Sequence, residues 1–467
     1  MRISLIKKLN EYIPYWAKRP FARFIRNRLI CNHTFLDTYQ MLENADRMSE
    51  SEKEQLQLNK LKSVLKHAYE NTQYYRNLFD ENGFDYNGVT KISDIQKLPL
   101  LRREMLAENL EQLSATDVPD YYEVSTGGTS GGAAKILMGS DAIYKEWAFV
   151  YHYWSKFGYD YKKSKLATFR GVDMGGRIHE INPLYAEIRM NPFIMNRSNI
   201  QEYNREINKY GASFIYGYPS SVYSYCKLTK EAGINVEGKF QAALLISENL
   251  YPFQEEMIRS VLKCPIAIFY GHTERCVFAE RYDDGYKFNP LYGVTEVNAD
   301  GEPIVTGFVN GKFPLIRYVV DDKIEPVSKS GDKISCKEMN AYEVIDSSER
   351  FEITGHKDSE VIYGKNGEYF VGVQALDFHG MLSDNFSEFQ LAQKIPGELI
   401  IRYVSDKEVT AEEIISIIKK CRYRLGEAFS FKVEQVDKLQ LTPRGKYKLI
   451  VQYMNPGDMK ADNGKKS

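Results

Sequence analysis

The sequence predicts an α/β fold, with a large N-terminal lobe that holds a parallel βαβ sheet and a β region, and with a small α+β C-terminal domain. Strand-like and helical runs alternate in the centre of the chain, turn signals become dense after Asp283, and a second strand and helix pattern follows Thr354. The 467 residues are 43% hydrophobic, which is enough to form a sizeable core.

The parallel sheet is predicted from five successive segments in the centre of the chain. They are a strand at Ser213–Tyr216, a helix at Pro219–Glu231, a strand at Ala242–Ile246, a helix at Pro252–Leu262 and a strand at Pro265–Phe269. In such sheets, ligands bind beyond the carboxyl ends of the strands. We therefore expect three polar loops, at 217–220, 247–249 and 270–274, to meet at one edge.

A phosphate-binding loop is predicted at Ser125-Thr126-Gly127-Gly128-Thr129-Ser130-Gly131-Gly132. Glycines let backbone N–H groups approach a ligand closely, and the hydroxyls add donors. Strand-like segments at 121–124 and 135–138 hold the loop at both ends. A Walker A loop is excluded because Ala133 and Ala134 follow the last glycine, and a dinucleotide-binding fingerprint is disfavoured because an extended run, not a helix, comes next.

Composition narrows the class of protein. A formal net charge of -1 gives no basic excess of the kind that nucleic-acid binding requires, so we expect no nucleic-acid partner. The 6 cysteines form no C-x-x-C pair, which indicates reduced thiols. No apolar run approaches the roughly 20 residues of a membrane span, and no signal peptide is recognisable, so we expect a cytoplasmic protein.

The N-terminal segment from Ile6 to Arg28 interleaves basic and apolar residues. Two interpretations remain open. The one we favour is a pair of short helices packed on the main lobe; the other is peripheral contact with an anionic membrane surface. No pattern in the sequence indicates an oligomeric state.

Glycine-containing turns after Asp283 predict a mostly antiparallel β region that ends near Phe351. The large lobe is accordingly assigned to 1–353 and the small domain to 354–467. The small domain is predicted to hold strands at 399–404 and 448–453 and a helix at 411–424, and its polar tail from about 455 is predicted to be disordered.

Taken together, these segments resemble the adenylate-forming superfamily of acyl-CoA synthetases, most closely its phenylacetate-CoA ligase and CapK-type capsular polysaccharide branch. The runs His67–Arg76, 125–132 and Gly217–Ser220 are similar to segments of that branch, and the similarity covers nearly the whole chain. The resemblance implies a mobile small domain that turns about Gly355-His356-Lys357-Asp358-Ser359, where His356 and Ser359 replace the usual arginine and aspartate.

The resemblance also implies roles for Tyr270-Gly271-His272-Thr273-Glu274. In this motif the aromatic residue packs on adenine, the threonine contacts the α-phosphate, and the glutamate helps to hold Mg²⁺. A carboxylate beside a polyphosphate needs a bridging hard cation, which agrees with that last role. Ser247 and Glu248, at the neighbouring strand end, are assigned to the same nucleotide site.

Two further motifs carry predicted functional residues. Asp322 takes the position of the aspartate that accepts hydrogen bonds from both ribose hydroxyls, with Asp321 replacing the usual glycine before it. Lys446, in Thr442-Pro443-Arg444-Gly445-Lys446, takes the position of the lysine that bridges carboxylate and α-phosphate during adenylation, with Lys448 as the alternative. The segment has one residue fewer between proline and glycine than the family motif. An ammonium there would reduce repulsion between two approaching anions.

The function that the resemblance implies is that of an AMP-forming ligase. A small-molecule carboxylic acid, ATP and Mg²⁺ would give an acyl-adenylate and pyrophosphate, and the acyl group would then pass to the thiol of coenzyme A. Two alternatives stay open: acid–amine ligation or sugar modification during surface polysaccharide assembly, and a noncatalytic nucleotide-binding protein of the same fold.

Overall fold

The computed structural model of the chain describes most of both predicted domains. The described residues are 30–125, 135–170, 174, 176–282, 285–320, 322–337, 341–356, 361–365, 369–371, 388–405, 409–441 and 447–454. Several predictions fall outside these ranges: the basic N-terminal segment, the loop residues Thr126, Gly127, Gly128, Thr129, Ser130 and Gly131, the hinge residues from Lys357, the lysine Lys446, and the polar tail.

The chain divides into two compact units. Among the described residues, the first unit comprises 30–247 and 259–354, and the second comprises 248–258 and 355–454, with the gaps given above. We propose, as the sequence predicts, that the domain boundary of the protein lies after residue 353.

The first unit opens with helices: α1 His33–Ala45, α2 Glu50–Asn71, α3 Gln73–Glu81, 3-10 turns at Tyr86–Gly88 and Ile92–Lys97, and α4 Arg103–Glu108. A capping box starts α2, because the Ser49 hydroxyl accepts from the Glu52 N–H at 3.3 Å and Glu52 Oε2 accepts from the Ser49 N–H at 2.7 Å. Its buried residues, Leu58, Leu61, Leu65 and Ala68, have helical spacing and form one apolar face.

A hairpin of β1 Tyr121–Ser125 and β2 Lys135–Gly139 carries the predicted phosphate-binding loop between its strands. The pairing is antiparallel, with Tyr121 opposite Gly139 and Ser125 opposite Lys135. The helix α5 Ala142–Ser155 follows directly. The two flanking strands predicted from the sequence are therefore present and paired.

The main sheet of the first unit contains β3 Leu166–Phe169, β4 His179–Asn182, β5 Glu187–Met190, β6 Phe214–Gly217, β7 Ala242–Leu245, β8 Ile266–Gly271, β9 Phe278–Tyr282, β10 Gly285–Phe288, β14 Asp322–Val327 and β15 Arg350–His356. Their order is β14-β15-β10-β9-β8-β7-β6-β3-β5-β4. From β5 to β8 the neighbouring strands are parallel, and β8 pairs antiparallel with β9. The helices α6 Ile200–Tyr210 and α7 Pro219–Glu231 contact these strands. The helix α8 Pro252–Leu262 comes between β7 and β8 in the sequence.

The predicted parallel βαβαβ unit is confirmed; the first two strands shift by one residue at their ends, and the third strand differs more. The strand β8 continues to Gly271, two residues beyond the predicted end, so Tyr270 and Gly271 belong to the sheet and not to the loop. The extra residues pair with β9, since Tyr270 lies opposite Ala279 and Gly271 opposite Phe278. A partner strand supplied by a later part of the chain thus lengthens β8.

The predicted antiparallel region is present as β11 Gly293–Val297, β12 Pro303–Gly307 and β13 Tyr318–Val319, which form a separate sheet. A short helix that the sequence did not indicate, α9 Ala341–Ser347, precedes β15. Val344 of this helix is fully buried with Ile324 and Phe351. Tertiary packing, and not a local helical pattern, therefore stabilises it.

The second unit is an α+β structure, as predicted. A sheet has the order β20-β19-β18-β21, and its strands are β18 Glu388–Gln393, β19 Glu398–Val404, β20 Ser430–Gln435 and β21 Ile450–Gln452. The helix α10 Ala411–Leu425 connects β19 to β20, and β16 Val361–Tyr363 pairs with β17 Tyr369–Val371. Leu391, Leu399, Ile417 and Phe429 are buried in its core.

Throughout the described ranges, every helix is too short or too polar to cross a bilayer. No disulfide joins any of the six cysteines, all of which lie in described ranges.

Candidate functional site

The carboxyl ends of β6, β7 and β8 lie side by side in the first unit. Gly217, Leu245 and Ile268 are in register across these strands. Gly217 allows the close approach of β3 and β6, because a Cβ at this position would lie 2.1 Å from the carbonyl oxygen of Phe169. The sheet therefore places the beginnings of the three predicted polar loops along one edge.

Tyr270, His272 and Asp322 form a hydrogen-bonded cluster at this edge. The Tyr270 hydroxyl donates to Asp322 Oδ2 at 2.6 Å, and His272 Nε2 lies 2.7 Å from the same oxygen and 2.6 Å from the Tyr270 hydroxyl oxygen. Burial and the neighbouring Asp322 carboxylate raise the pKa of Tyr270 well above its ordinary value, so the phenol stays protonated and donates. The structure thus brings Asp322 into contact with two residues of a motif that the sequence analysis treated separately from it.

Burial differs sharply between neighbouring residues of this loop. Asp322 has a relative exposure of 2% and Glu274 of 6%, whereas Gly271 and Thr273 are exposed. An exposed threonine hydroxyl is available to a ligand, and the buried Asp322 carboxylate is held by Tyr270 and His272. His272 Nδ1 lies 3.8 Å from Glu274 Oε2.

Glu274 is one carboxylate, which is fewer ligands than a metal ion needs from the protein alone. Within the described ranges, no group of three or more histidine, cysteine or acidic side chains is arranged to hold a metal ion by itself. Mg²⁺ commonly binds through one or two carboxylates together with water and substrate phosphates. Glu274 can supply such a carboxylate, and the remaining ligands would come from the nucleotide and from water.

Arg275 is a structural residue of this site that the sequence did not indicate. Its Nε lies 2.6 Å from Glu146 Oε2 of α5, and its Nη1 donates to the hydroxyl of Tyr122 on β1 at 2.8 Å. Burial by itself would lower the pKa of Arg275, but the Glu146 carboxylate and the Tyr122 hydroxyl outweigh it and raise that pKa. Arg275 therefore connects the loop after β8 to the hairpin that carries the glycine-rich segment. No sequence motif marks such a long-range contact.

Ser247, which follows β7, has a left-handed backbone with φ of 64°. A residue with a Cβ is rare in this conformation, which costs on the order of 1–3 kcal/mol and is concentrated at functional sites. Ser247 is also exposed. The strained, exposed position agrees with its predicted place in a ligand site.

Glu248 belongs to the second unit, where its Oε1 accepts from the N–H of Tyr447 at 2.9 Å. The hydroxyl of Tyr447 donates to the carbonyl of Phe389. Lys448 is partly buried, and this burial lowers the pKa of its ammonium. The residue before Tyr447 is Lys446, which lies outside the described residues, so the choice between Lys446 and Lys448 stays a prediction.

Comparison with known proteins gives matches at three levels. Residues 362–453 match the family model of the CapK C-terminal domain. Over 417 residues the chain is 19% identical to Protein CapK of Staphylococcus aureus, an alignment that covers 85% of this chain and 88% of that protein. A stretch of 72 residues is 36% identical to the phenylacetate-coenzyme A ligase of Escherichia coli (strain K12) and covers 15% of this chain and 16% of that enzyme.

A solved structure matches over most of the chain. The crystal structure of 2-hydroxyisobutyryl-CoA ligase in the postadenylation state, in complex with R3-HIB-AMP, aligns with a TM-score of 0.61 and 14% identity. The alignment covers 89% of this chain and 92% of that one. At this level of identity, the match shows a shared fold.

Proposed function

We propose that this chain is a CapK-type member of the adenylate-forming superfamily. In this proposal it converts a small carboxylic acid and ATP into an acyl-adenylate and pyrophosphate and then transfers the acyl group to coenzyme A. The observation that carries the proposal is the buried carboxylate of Asp322. Its Oδ2 lies within hydrogen-bonding distance of both the Tyr270 hydroxyl and His272 Nε2, at the edge of the sheet where ligands bind in folds of this kind.

Most of the residues predicted from the sequence would contribute to nucleotide binding. Asp322 would accept hydrogen bonds from the ribose hydroxyls, and Tyr270 would pack on adenine. Thr273, which is exposed, would contact the α-phosphate. The loop residues Thr126, Gly127, Gly128, Thr129, Ser130 and Gly131 would bind the β- and γ-phosphates through amide and hydroxyl groups. Ser247, Gly271 and Glu248 are assigned to the same nucleotide site.

The first half-reaction needs two anions to approach each other. A carboxylate oxygen attacks the α-phosphorus, the bond from that phosphorus to the bridging oxygen breaks, and pyrophosphate leaves with the electron pair. Lys446 would place an ammonium between the two anions and stabilise charge in the transition state. Glu274 would hold Mg²⁺, which neutralises phosphate charge when it is bound.

The second half-reaction uses the adenylate as an activated acyl group. The sulfur of coenzyme A attacks the acyl carbon, the bond from that carbon to the AMP oxygen breaks, and the thiol proton passes to water. An amine or a sugar hydroxyl could replace the thiol as the acyl acceptor. The long alignment with Protein CapK supports this alternative and a role in surface polysaccharide assembly. A chain that binds ATP without releasing pyrophosphate would instead be noncatalytic.

ATP–pyrophosphate exchange tests the proposal directly. The purified protein is assayed with Mg²⁺ and a panel of aryl, fatty, amino and sugar acids. We expect exchange with one class of acid and a loss of at least about 100-fold in Lys446→Ala, since removing one transition-state contact commonly costs that much. Lys438→Ala, which changes an exposed lysine of the same unit, is the matched control and should retain exchange.

Two outcomes would change the proposal. ATP binding without exchange for every acid would favour the noncatalytic alternative. Exchange followed by AMP release that depends on an amine or a sugar, and not on coenzyme A, would keep adenylation and reassign the acceptor. Unchanged exchange in Lys446→Ala with loss in Lys448→Ala would move the catalytic role to Lys448.

A further inference from the structure

Arg170 is a cation at the ligand-binding edge that has no role in the chemistry above. It directly follows β3, which lies between β6 and β5, and it is exposed. Its guanidinium carbon lies 5.7 Å from the ring centre of Tyr216 and 5.9 Å from that of Tyr218. Contacts of this kind orient a guanidinium through the attraction between a cation and the face of an aromatic ring.

The backbone around Arg170 explains why the tyrosines can flank it. Tyr216 and Tyr218 stand on either side of Gly217, where the absence of a Cβ allows β6 to approach the carbonyl of Phe169. The Tyr218 N–H donates to that same carbonyl at 3.0 Å. Arg170 Nη1 in turn donates to the Tyr216 hydroxyl at 3.3 Å. The position of Arg170 is thus set by the pairing of β3 with β6.

Arg170 forms no ion pair with a described acid, although the flanking tyrosines and, at longer range, the Glu187 carboxylate raise the pKa of its guanidinium. In the described part of the chain, no carboxylate oxygen lies within 4.0 Å of its guanidinium nitrogens. Glu187, on the adjacent strand β5, is already engaged by Thr168 at 2.7 Å, Asn182 at 3.1 Å and Arg189 at 2.8 Å. A guanidinium presents five donors in a planar fork that matches carboxylate and phosphate groups. Its remaining donors can therefore bind an anionic ligand.

The distance along the sheet separates Arg170 from Tyr270, the residue assigned to the adenine base. The strands β6 and β7 lie between β3 and β8. With neighbouring strands spaced about 4.8 Å apart, the ends of β3 and β8 are about 14 Å apart. A base packed on Tyr270 would lie beyond the reach of Arg170. The more distant, acyl part of an acyl-adenylate is the group that could extend toward it.

We propose that Arg170 binds a second anionic group of the acid substrate, distinct from the carboxylate that is adenylated. The inference rests on the function proposed above and narrows its substrate class to acids that carry an additional carboxylate or phosphate. Tyr216 and Tyr218 orient the guanidinium, and Arg170 selects the substrate by charge and by its planar hydrogen-bonding geometry.

Calorimetric binding of matched acids tests this role without requiring turnover. The pairs are succinate with butyrate, phthalate with benzoate, and glycerate 3-phosphate with glycerate, each titrated with Mg²⁺ and α,β-methylene-ATP present. In at least one pair, we expect the wild-type protein to bind the acid with two anionic groups at least about tenfold more tightly than the acid with one. A charge-assisted hydrogen bond to the second group would give a difference of this size. Arg170→Gln should abolish this preference, and Arg170→Lys should restore only part of it.

Controls separate this inference from the proposed function. Arg47→Gln changes an exposed arginine elsewhere in the unit and should retain the preference. Affinity for the ATP analogue should be the same in wild type and Arg170→Gln, and its loss would mean that Arg170 binds nucleotide instead. The inference is overturned if no pair shows the preference or if the preference persists in Arg170→Gln. In that case, ATP–pyrophosphate exchange with acids that carry one carboxylate would still support adenylation. Conversely, a binding preference for acids with two anionic groups, without ATP–pyrophosphate exchange for any acid, would overturn adenylation but not the role of Arg170 in binding.

Discussion

At the scale of single residues, Asp322 is the most constrained group of the candidate site. A carboxylate with 2% exposure is costly unless it is hydrogen-bonded, and Tyr270 and His272 both contact its Oδ2. The contacts fix the orientation of the carboxylate before a nucleotide binds. This preorganisation lowers the cost of ordering the site on binding.

Replacement of Asp322 by Asn should weaken binding of ATP by roughly 10- to 100-fold, because hydrogen bonds to a charged group are worth about 1.5–3 kcal/mol. The measurement is calorimetric titration with ATP and with 2′-deoxy-ATP. If Asp322 binds the ribose, the wild-type protein prefers ATP and Asp322→Asn does not. Asp300→Asn, at an exposed aspartate, is the matched control. Equal discrimination in Asp322→Asn and wild type would remove Asp322 from the ribose site.

At the scale of secondary-structure elements, two contacts determine the geometry of the sheet edge. Arg275 connects the loop after β8 to β1 and α5 through Tyr122 and Glu146. Gly217 allows β3 and β6 to come together, and this pairing aligns the strand ends. The position of the site therefore depends on contacts between elements that are distant in the sequence.

Gly217→Ala should destabilise the protein severely, by several kcal/mol, because the new Cβ would lie 2.1 Å from a backbone oxygen that cannot move without separating β3 from β6. Urea denaturation followed by circular dichroism measures the loss. Gly176→Ala is the control, since a Cβ there would meet nothing within 4 Å, and its unfolding midpoint should match wild type. A similar midpoint for both variants would show that the sheet accommodates the methyl group.

At the scale of the whole molecule, buried tyrosines make the folded state sensitive to alkali. Burial raises the pKa of Tyr185 to about 12. The same cause raises the pKa of further tyrosines in the first unit, namely Tyr75, Tyr153, Tyr203 and Tyr225. Their hydroxyls are hydrogen-bonded inside the fold, for example from Tyr75 to the carbonyl of Pro314 at 3.0 Å.

The free energy of unfolding should therefore fall as pH rises above about 10. There the unfolded chain loses phenolic protons that the folded chain retains, so each such tyrosine contributes a slope of up to about 1.4 kcal/mol per pH unit. Urea titrations between pH 8 and 11 measure the effect. Tyr185→Phe should reduce the slope, whereas Tyr121→Phe, at an exposed tyrosine, should not. A stability that stays constant from pH 9 to 11 would contradict the expectation.

The sequence by itself determined the secondary structure wherever local patterns are strong. The helices at Pro219–Glu231 and Pro252–Leu262 have the predicted bounds, because proline favours the first turn of a helix and apolar spacing marks the buried face. Motif residues such as Tyr270 and Asp322 could also be selected from the sequence. Short segments with little periodicity, such as α9, could not.

Only the tertiary structure decided which side chains meet. The contact of His272 with Asp322 spans 50 residues, and that of Arg275 with Tyr122 spans 153. The flanking of Arg170 by Tyr216 and Tyr218 depends on the same strand pairing. Local patterns record burial and backbone preference over a few residues, whereas these contacts are set by strand order and by the close approach of distant segments.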